Sequence, residues 1–127
     1  MLACAATLAS AVPALAESGV TADALRAAVT RLVSAELARD GATACAVLNA
    51  PLARTVRGQT CAQRWDARIA RELAKPAGAA RLRSDLRAIP TAAIVIVGEH
   101  ATISLPHALL DGHSRFYWTA NCWMLTR

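Results

Sequence analysis

Apolar residues recur at helical spacing in the first half of the chain and at strand spacing in the second half. The first helical pattern places an apolar residue every three or four positions, at Leu25, Val29, Leu32, Val33 and Leu37. Thr21 precedes this pattern and can cap the helix, and Asp23 suits the positive end of the helix dipole. We therefore predict a helix from Thr21 to about Arg39, ended by Gly41 in a left-handed conformation.

Shorter helical segments follow before residue 60. One piece carries Cys45, Val47 and Leu48, and Pro51 can open another turn that stops at Gly58.

A capping box predicts the start of the most amphipathic helix. Thr60 and Gln63 have the spacing at which a hydroxyl and an amide side chain each bond the other residue's backbone N–H. The helix should run to about Ala74, because Pro76 prevents much continuation. One side is apolar, with Cys61, Ala62, Trp65, Ile69 and Leu73. The opposite side, which we name the basic face, consists of Arg64, Arg68, Arg71 and Lys75.

Beyond residue 90 the pattern is typical of strands. Residues 93–97 are rich in β-branched side chains, and apolar and hydroxyl residues alternate over 101–105. Phe116 and Trp118 belong to a third predicted strand, and residues 122–125 return as a fourth. Helices followed by an antiparallel meander predict an α+β fold, with N-terminal helices packed on a curved antiparallel sheet formed by the C-terminal half.

This order of elements resembles the nuclear transport factor two-like (ketosteroid-isomerase-like) superfamily. More narrowly, the run from Ala44 to Leu48 (Ala-Cys-Ala-Val-Leu), followed by Cys61, is similar to small secreted or lipid-anchored actinobacterial proteins of this fold with no assigned activity. The resemblance covers roughly residues 20–126. It implies a cone-like domain with an apolar pocket between sheet and helices.

The resemblance also implies what could line that pocket. The candidates are Phe116, Trp118, Trp123 and Met124, for which packing in the core is the alternative role. Enzymes of the superfamily place a carboxylate or a histidine in the pocket as general base. Here no Asp or Glu lies on a predicted strand, Tyr117 is the only strand phenol, and His100 falls in a predicted turn. We therefore predict no catalytic residue.

The first sixteen residues carry no charge, and Ala14-Leu15-Ala16 supplies the small–x–small pattern read by signal peptidase. We predict a signal peptide over residues 1–16 and one domain over 17–127, secreted or held in the cell envelope. A buried N-terminal helix is one alternative. Lipidation of Cys4, with a start upstream of Met1, is another.

Cys45 and Cys61 are sixteen positions apart. Zinc sites favour ligand pairs two to four residues apart, and a redox site favours Cys-x-x-Cys. In an oxidising compartment a structural disulfide remains, and we predict Cys45–Cys61. Cys122 would then be a buried thiol, because Cys4 leaves with the leader, although pairings that involve Cys122 stay open.

Charge is concentrated in the middle of the chain. The net charge is +5, and residues 54–87 contain nine basic residues against three acidic ones. The basic face could bind an anionic cell-envelope surface, or it could simply be solvated. Export argues against nucleic acid as a partner.

One further cluster has the residue types of a metal site. His107, Asp111 and His113 could bind zinc and leave a position open for water. A polar loop explains the same residues more simply, so no metal or other cofactor is predicted.

Together these patterns predict an exported, non-catalytic binding or interaction module, as a monomer or a homodimer. The candidate partners are a small apolar ligand and an anionic envelope surface. The alternative function is a small pocket enzyme, an isomerase or hydrolase that uses a His or Asp base.

Overall fold

The computed structural model describes residues 20–48, 50–108, 114–119 and 122–126 of the 127-residue chain. The predicted leader and Cys4 lie outside these residues, as do Asp111 and His113. No helix in the described ranges is both long enough and apolar enough to cross a bilayer.

The first helix, α1, spans Ala22–Leu37. It begins as predicted, because the Thr21 hydroxyl accepts a hydrogen bond from the N–H of Ala24 at 3.1 Å. Its apolar stripe is buried in the core, at Leu25, Val29, Leu32 and Val33. The long first helix is thus the central element on the helical side of the domain.

In the part of the chain that the structure describes, four more helices follow, and a short 3₁₀ turn, Ile89–Thr91, leads into the sheet. They are α2 (Gly41–Cys45), α3 (Ala50–Ala53), α4 (Cys61–Ala74) and α5 (Gly78–Ala88). The capping box at the start of α4 is present in full, with Thr60 and Gln63 each bonding the other's backbone N–H. α5 was not predicted from the sequence.

Gly41 does not end α1 as predicted; it is the first residue of α2. Its N–H donates to Asp66 Oδ1 at 2.7 Å, and a Cβ at position 41 would lie only 2.4 Å from that oxygen. The left-handed step after α1 is made instead by Arg39, with φ 57°. Glycine is required here because α2 packs directly on α4.

Among the described residues, four strands form one antiparallel sheet in the order β1-β2-β3-β4. They are β1 (Ile94–Val97), β2 (His100–Ile103), β3 (Arg115–Thr119) and β4 (Cys122–Thr126). Helices packed against this sheet confirm the predicted α+β class.

One face of the sheet closes the core against the helices. Its fully buried side chains include Ile103, Phe116, Trp123 and Leu125. Trp123 Nε1 donates to the carbonyl oxygen of Thr21 at 3.3 Å, which ties β4 to the start of α1. Arg26 of α1 also donates to the carbonyl oxygens of Ile89 and Ala92, at 2.5 and 3.0 Å. Both ends of the sheet are therefore anchored to the first helix.

Candidate functional site: a groove on the outer face of the sheet

Strand alternation places two rows of side chains on the face of the sheet that points away from the helices. The first row follows the register through Val95, Thr102, Arg115 and Thr126. The second row consists of Val97, His100, Tyr117 and Met124. Because neighbours in one register share a face, these eight side chains make up an outer face distinct from the core.

A groove of about 260 Å³ lies on this outer face. Its lining includes Val95, Val97, His100, Thr102, Arg115 and Thr126. The two valines are 60% and 70% exposed, which is unusual for β-branched side chains. Within the described part of this lining, Arg115 alone carries a permanent charge. The groove thus combines an apolar wall with a single cation.

His100, which lines the groove, stands beside Tyr117. Their ring centroids are 5.0 Å apart and the rings are tilted by 42°. His100 is the first residue of β2, so the prediction that it lies in the hairpin turn is corrected. The hairpin needs only Gly98 and Glu99 as its turn, because Val97 pairs directly with His100.

The four residues predicted to line an internal pocket do not lie together. Phe116 and Trp123 are buried in the core, and the Trp118 ring meets the Trp123 ring edge-on at 5.3 Å. Met124 pairs with Tyr117 on the outer face, because it is adjacent to Trp123 in the strand. Three of the four residues therefore pack in or against the core and the fourth faces away from it.

Arg64 and Arg68 of the predicted basic face are held by local contacts. Arg64 Nη2 donates to the carbonyl oxygens of Leu52 and Arg54, the former at 3.1 Å, and so secures the loop after α3. The Arg68 guanidinium lies 5.1 Å from the centre of the Trp65 ring. Both guanidinium groups are therefore already in contact with other parts of the protein.

The other two members of the basic face differ in their surroundings. Lys75 Nζ is 2.9 Å from Glu72 Oε1, and this hydrogen bond lowers the pKa of Glu72. Arg71 is exposed. An anionic surface would therefore meet a face whose charges are partly engaged already.

Of the predicted metal cluster, only His107 lies in the described chain. Its backbone N–H donates to Asp85 Oδ1 at 2.8 Å, which fixes the loop that leaves β2. Within the ranges that the structure describes, no three His, Cys, Asp or Glu residues are grouped to hold a metal ion.

The predicted disulfide is present between Cys45 and Cys61, with the two Cα atoms 6.2 Å apart. It links the end of α2 to the first residue of α4. Cys122 is also disulfide-bonded, which corrects the prediction of a buried thiol.

Sequence reasoning missed two buried carboxylates on helices. Asp85 of α5 has no exposed surface and Glu36 of α1 is 2% exposed. Asp85 could have been found from its place on the apolar side of a helical repeat with Leu82 and Ile89, had α5 been recognised. The observed contact of Asp85, with the His107 N–H, makes it an anchor for a loop.

The chain matches no protein-family model, no curated protein and no solved structure. The resemblance to the nuclear transport factor two-like superfamily therefore stays a prediction. What defines the protein is its own geometry: an α+β domain whose helices are joined by a disulfide and whose sheet carries a groove on its outer face.

Proposed function

We propose that the protein is an extracytoplasmic, non-catalytic binding module that holds a small amphipathic anion in the groove on the outer face of its sheet. The observation that carries this proposal is the pairing of two exposed valines with one arginine in the same groove.

The apolar part of the ligand would lie against Val95 and Val97. Covering these side chains removes apolar surface from water, which favours binding by about 25 cal/mol per Å². The groove, at about 260 Å³, is just below the range of roughly 300–1,000 Å³ that is typical of sites for drug-sized molecules. A short acyl or aryl group fits this size better than a long lipid.

The anionic part of the ligand would meet Arg115. Its guanidinium can form two parallel hydrogen bonds to a carboxylate, which fixes orientation as well as adding affinity. The net charge of +5 also draws anions toward the protein.

Binding is favoured over catalysis by the chemistry of the lining. General-base catalysis needs a group positioned on the substrate proton, and the lining described above contains no carboxylate. Threonine hydroxyls can orient a ligand, but unaided they are too weakly basic to remove its protons.

The Cys45–Cys61 disulfide supports a location in an oxidising compartment, where small domains commonly carry such bonds. The uncharged leader pattern supports export by an independent route. Together they favour a secreted or envelope-held protein.

Binding of octanoate, measured by isothermal titration calorimetry, tests the proposal. Arg115→Gln should weaken the affinity roughly 10- to 150-fold, because it removes a charge-assisted hydrogen bond worth roughly 1.5–3 kcal/mol. Arg71→Gln is the matched control, since it removes the same charge from an exposed position on α4 and should leave the affinity unchanged. Equal losses in the two variants would mean that only net charge matters and would contradict the groove. Absence of octanoate binding to the wild type would contradict the ligand class.

The alternative is a small hydrolase or isomerase, and one observation favours it. His100 lines the groove beside Tyr117, so an imidazole is available next to a bound molecule. Hydrolysis of p-nitrophenyl octanoate that disappears in His100→Ala, with an unchanged thermal midpoint, would establish this alternative. We expect no turnover above that of free imidazole.

A further inference from the structure

The two edges of the sheet differ in their hydrogen bonding to the rest of the chain. At the β4 edge, Leu125 N–H donates to the carbonyl oxygen of Val47 at 2.7 Å, and Leu48 forms a parallel bridge to Leu125. Among the described residues, β1 pairs only with β2, so its other side is an open edge.

Hydrogen-bonded and non-hydrogen-bonded residue pairs alternate between β1 and β2, and this alternation shows which backbone groups of β1 point away from β2. Ser104 N–H donates to the Ala93 carbonyl oxygen, so residues 93 and 104 are a hydrogen-bonded antiparallel pair. Such pairs alternate along a ladder, which directs the N–H and C=O of Val95 and Val97 toward β2. The N–H and C=O groups of Ile94 and Ile96 therefore point outward.

Apart from its length of four residues, β1 has none of the features that usually protect an open edge. Residues 94–97 read Ile-Val-Ile-Val, without a charge, a proline or a glycine. Val95 and Val97 are largely exposed beside this edge. An edge of this kind is a template for another strand.

We propose that β1 pairs with β1 of a second copy of this chain, which joins the two sheets into one antiparallel sheet of eight strands. The pairing has a two-fold axis at Val95, so that each Ile94 faces Ile96 of the second copy. Both outward-pointing residues of each copy are then used, in four backbone hydrogen bonds. The interface is isologous, as in most homodimers.

Side-chain chemistry favours a second copy as the occupant. In this register the two Val95 side chains meet on the outer face, and isoleucines meet on the other face. Arg115 lies on β3, two strand spacings from β1, which is roughly 10 Å. The positive charge on the outer face is therefore kept away from the interface, and no like charges oppose each other there.

The interface is small. One pair of four-residue edges buries less than the roughly 1,200 Å² of a standard stable interface, so the dimer should dissociate on dilution. Sedimentation velocity between roughly 10 and 1,000 µM should show the weight-average mass rising toward that of two chains.

Cross-linking tests the register directly. Val95→Cys places two thiols opposite each other in a non-hydrogen-bonded pair, where the Cα atoms are about 4.5 Å apart, and mild oxidation should give a covalent dimer. Thr102→Cys is the matched control, because it lies on the same outer face one strand further from the edge. The two Thr102 positions would then be about 14 Å apart, three strand spacings, which is too far for a disulfide.

A backbone variant tests the edge itself. Ile96→Pro removes an outward N–H and none that bonds β2, so the fold should persist while the concentration-dependent rise in mass is lost. If this variant unfolds, Val95→Lys replaces it, because two lysines would face each other at the two-fold axis. Either variant that remains folded and still dimerises would overturn the proposal. So would a wild type that stays monomeric at 1 mM, or equal cross-linking of Val95→Cys and Thr102→Cys.

Discussion

Asp40 fixes the start of α2 through two hydrogen bonds from one residue. The Thr43 hydroxyl donates to Oδ2 at 2.6 Å, and the Thr43 N–H donates to Oδ1 at 3.0 Å. The bond from the Thr43 hydroxyl, and to a smaller extent the bond from the Thr43 N–H, lowers the pKa of Asp40 below its ordinary value of 3.8. The carboxylate is thus better stabilised in the folded chain than in the unfolded one.

This shift predicts a pH dependence of stability. Because the folded state binds the Asp40 proton more weakly, its contribution is present above about pH 3.8 and is lost as the pH falls through the lower folded pKa. Urea unfolding of the wild type and of Asp40→Asn, which keeps a capping oxygen without titrating, should converge at low pH. A stability difference that stays constant from pH 6 to pH 2.5 would show that the charge is not involved.

Single residues also show why the candidate site was only partly predictable. Trp123 and Met124 are adjacent in a strand, so strict alternation already forbids them from lining one pocket. The four residues were grouped because three of them are aromatic, and not because they share one face of a strand. The outer groove exists because the helices cover one face of β1 and leave the other exposed. Which face is covered is decided by tertiary packing, so the local sequence pattern does not predict it.

At the level of elements, the strength of local signals decided what could be predicted. α1 and α4 have side-chain caps and apolar stripes, β1 is a run of β-branched residues, and β3 and β4 carry aromatic residues, so the sequence predicts all of these elements. α5 lacks a side-chain hydrogen bond at its N-cap, Ala77, which is the residue after Pro76. Its start is set by packing instead, because a Cβ at Gly78 would lie 2.0 Å from the Glu72 carbonyl oxygen.

The disulfide between α2 and α4 predicts a large loss of stability when it is removed. The double variant Cys45→Ala/Cys61→Ala should unfold about 3 kcal/mol more easily, because the unfolded chain regains the freedom of a loop of sequence separation 16. Urea denaturation with a matched Ala42→Ser control, an exposed position in α2, measures the difference. A loss below about 1 kcal/mol would mean that the contacts between α2 and α4 hold this loop without the bond.

At the scale of the whole molecule, export is the property that the sequence predicts most directly. N-terminal sequencing of protein recovered outside the cytoplasm should begin at Glu17, after Ala14-Leu15-Ala16. Peptide mapping of the same sample should show the state of Cys122, because a chain that begins at Glu17 has Cys45, Cys61 and Cys122 as its cysteines. A bond to Cys4 would show that residues 1–16 are retained and would contradict cleavage. Recovery of Met1 in a cytosolic fraction would do the same.

The hydrogen bond from Trp123 to the Thr21 carbonyl oxygen joins residues that are 102 positions apart. During synthesis α1 therefore leaves the ribosome long before the strand that covers it. At typical elongation rates the delay is roughly 5 to 20 seconds. Throughout that interval the nascent chain has an uncovered apolar helix and an incomplete core. A chaperone or a translocation channel that accepts only unfolded polypeptides would have that time in which to engage it.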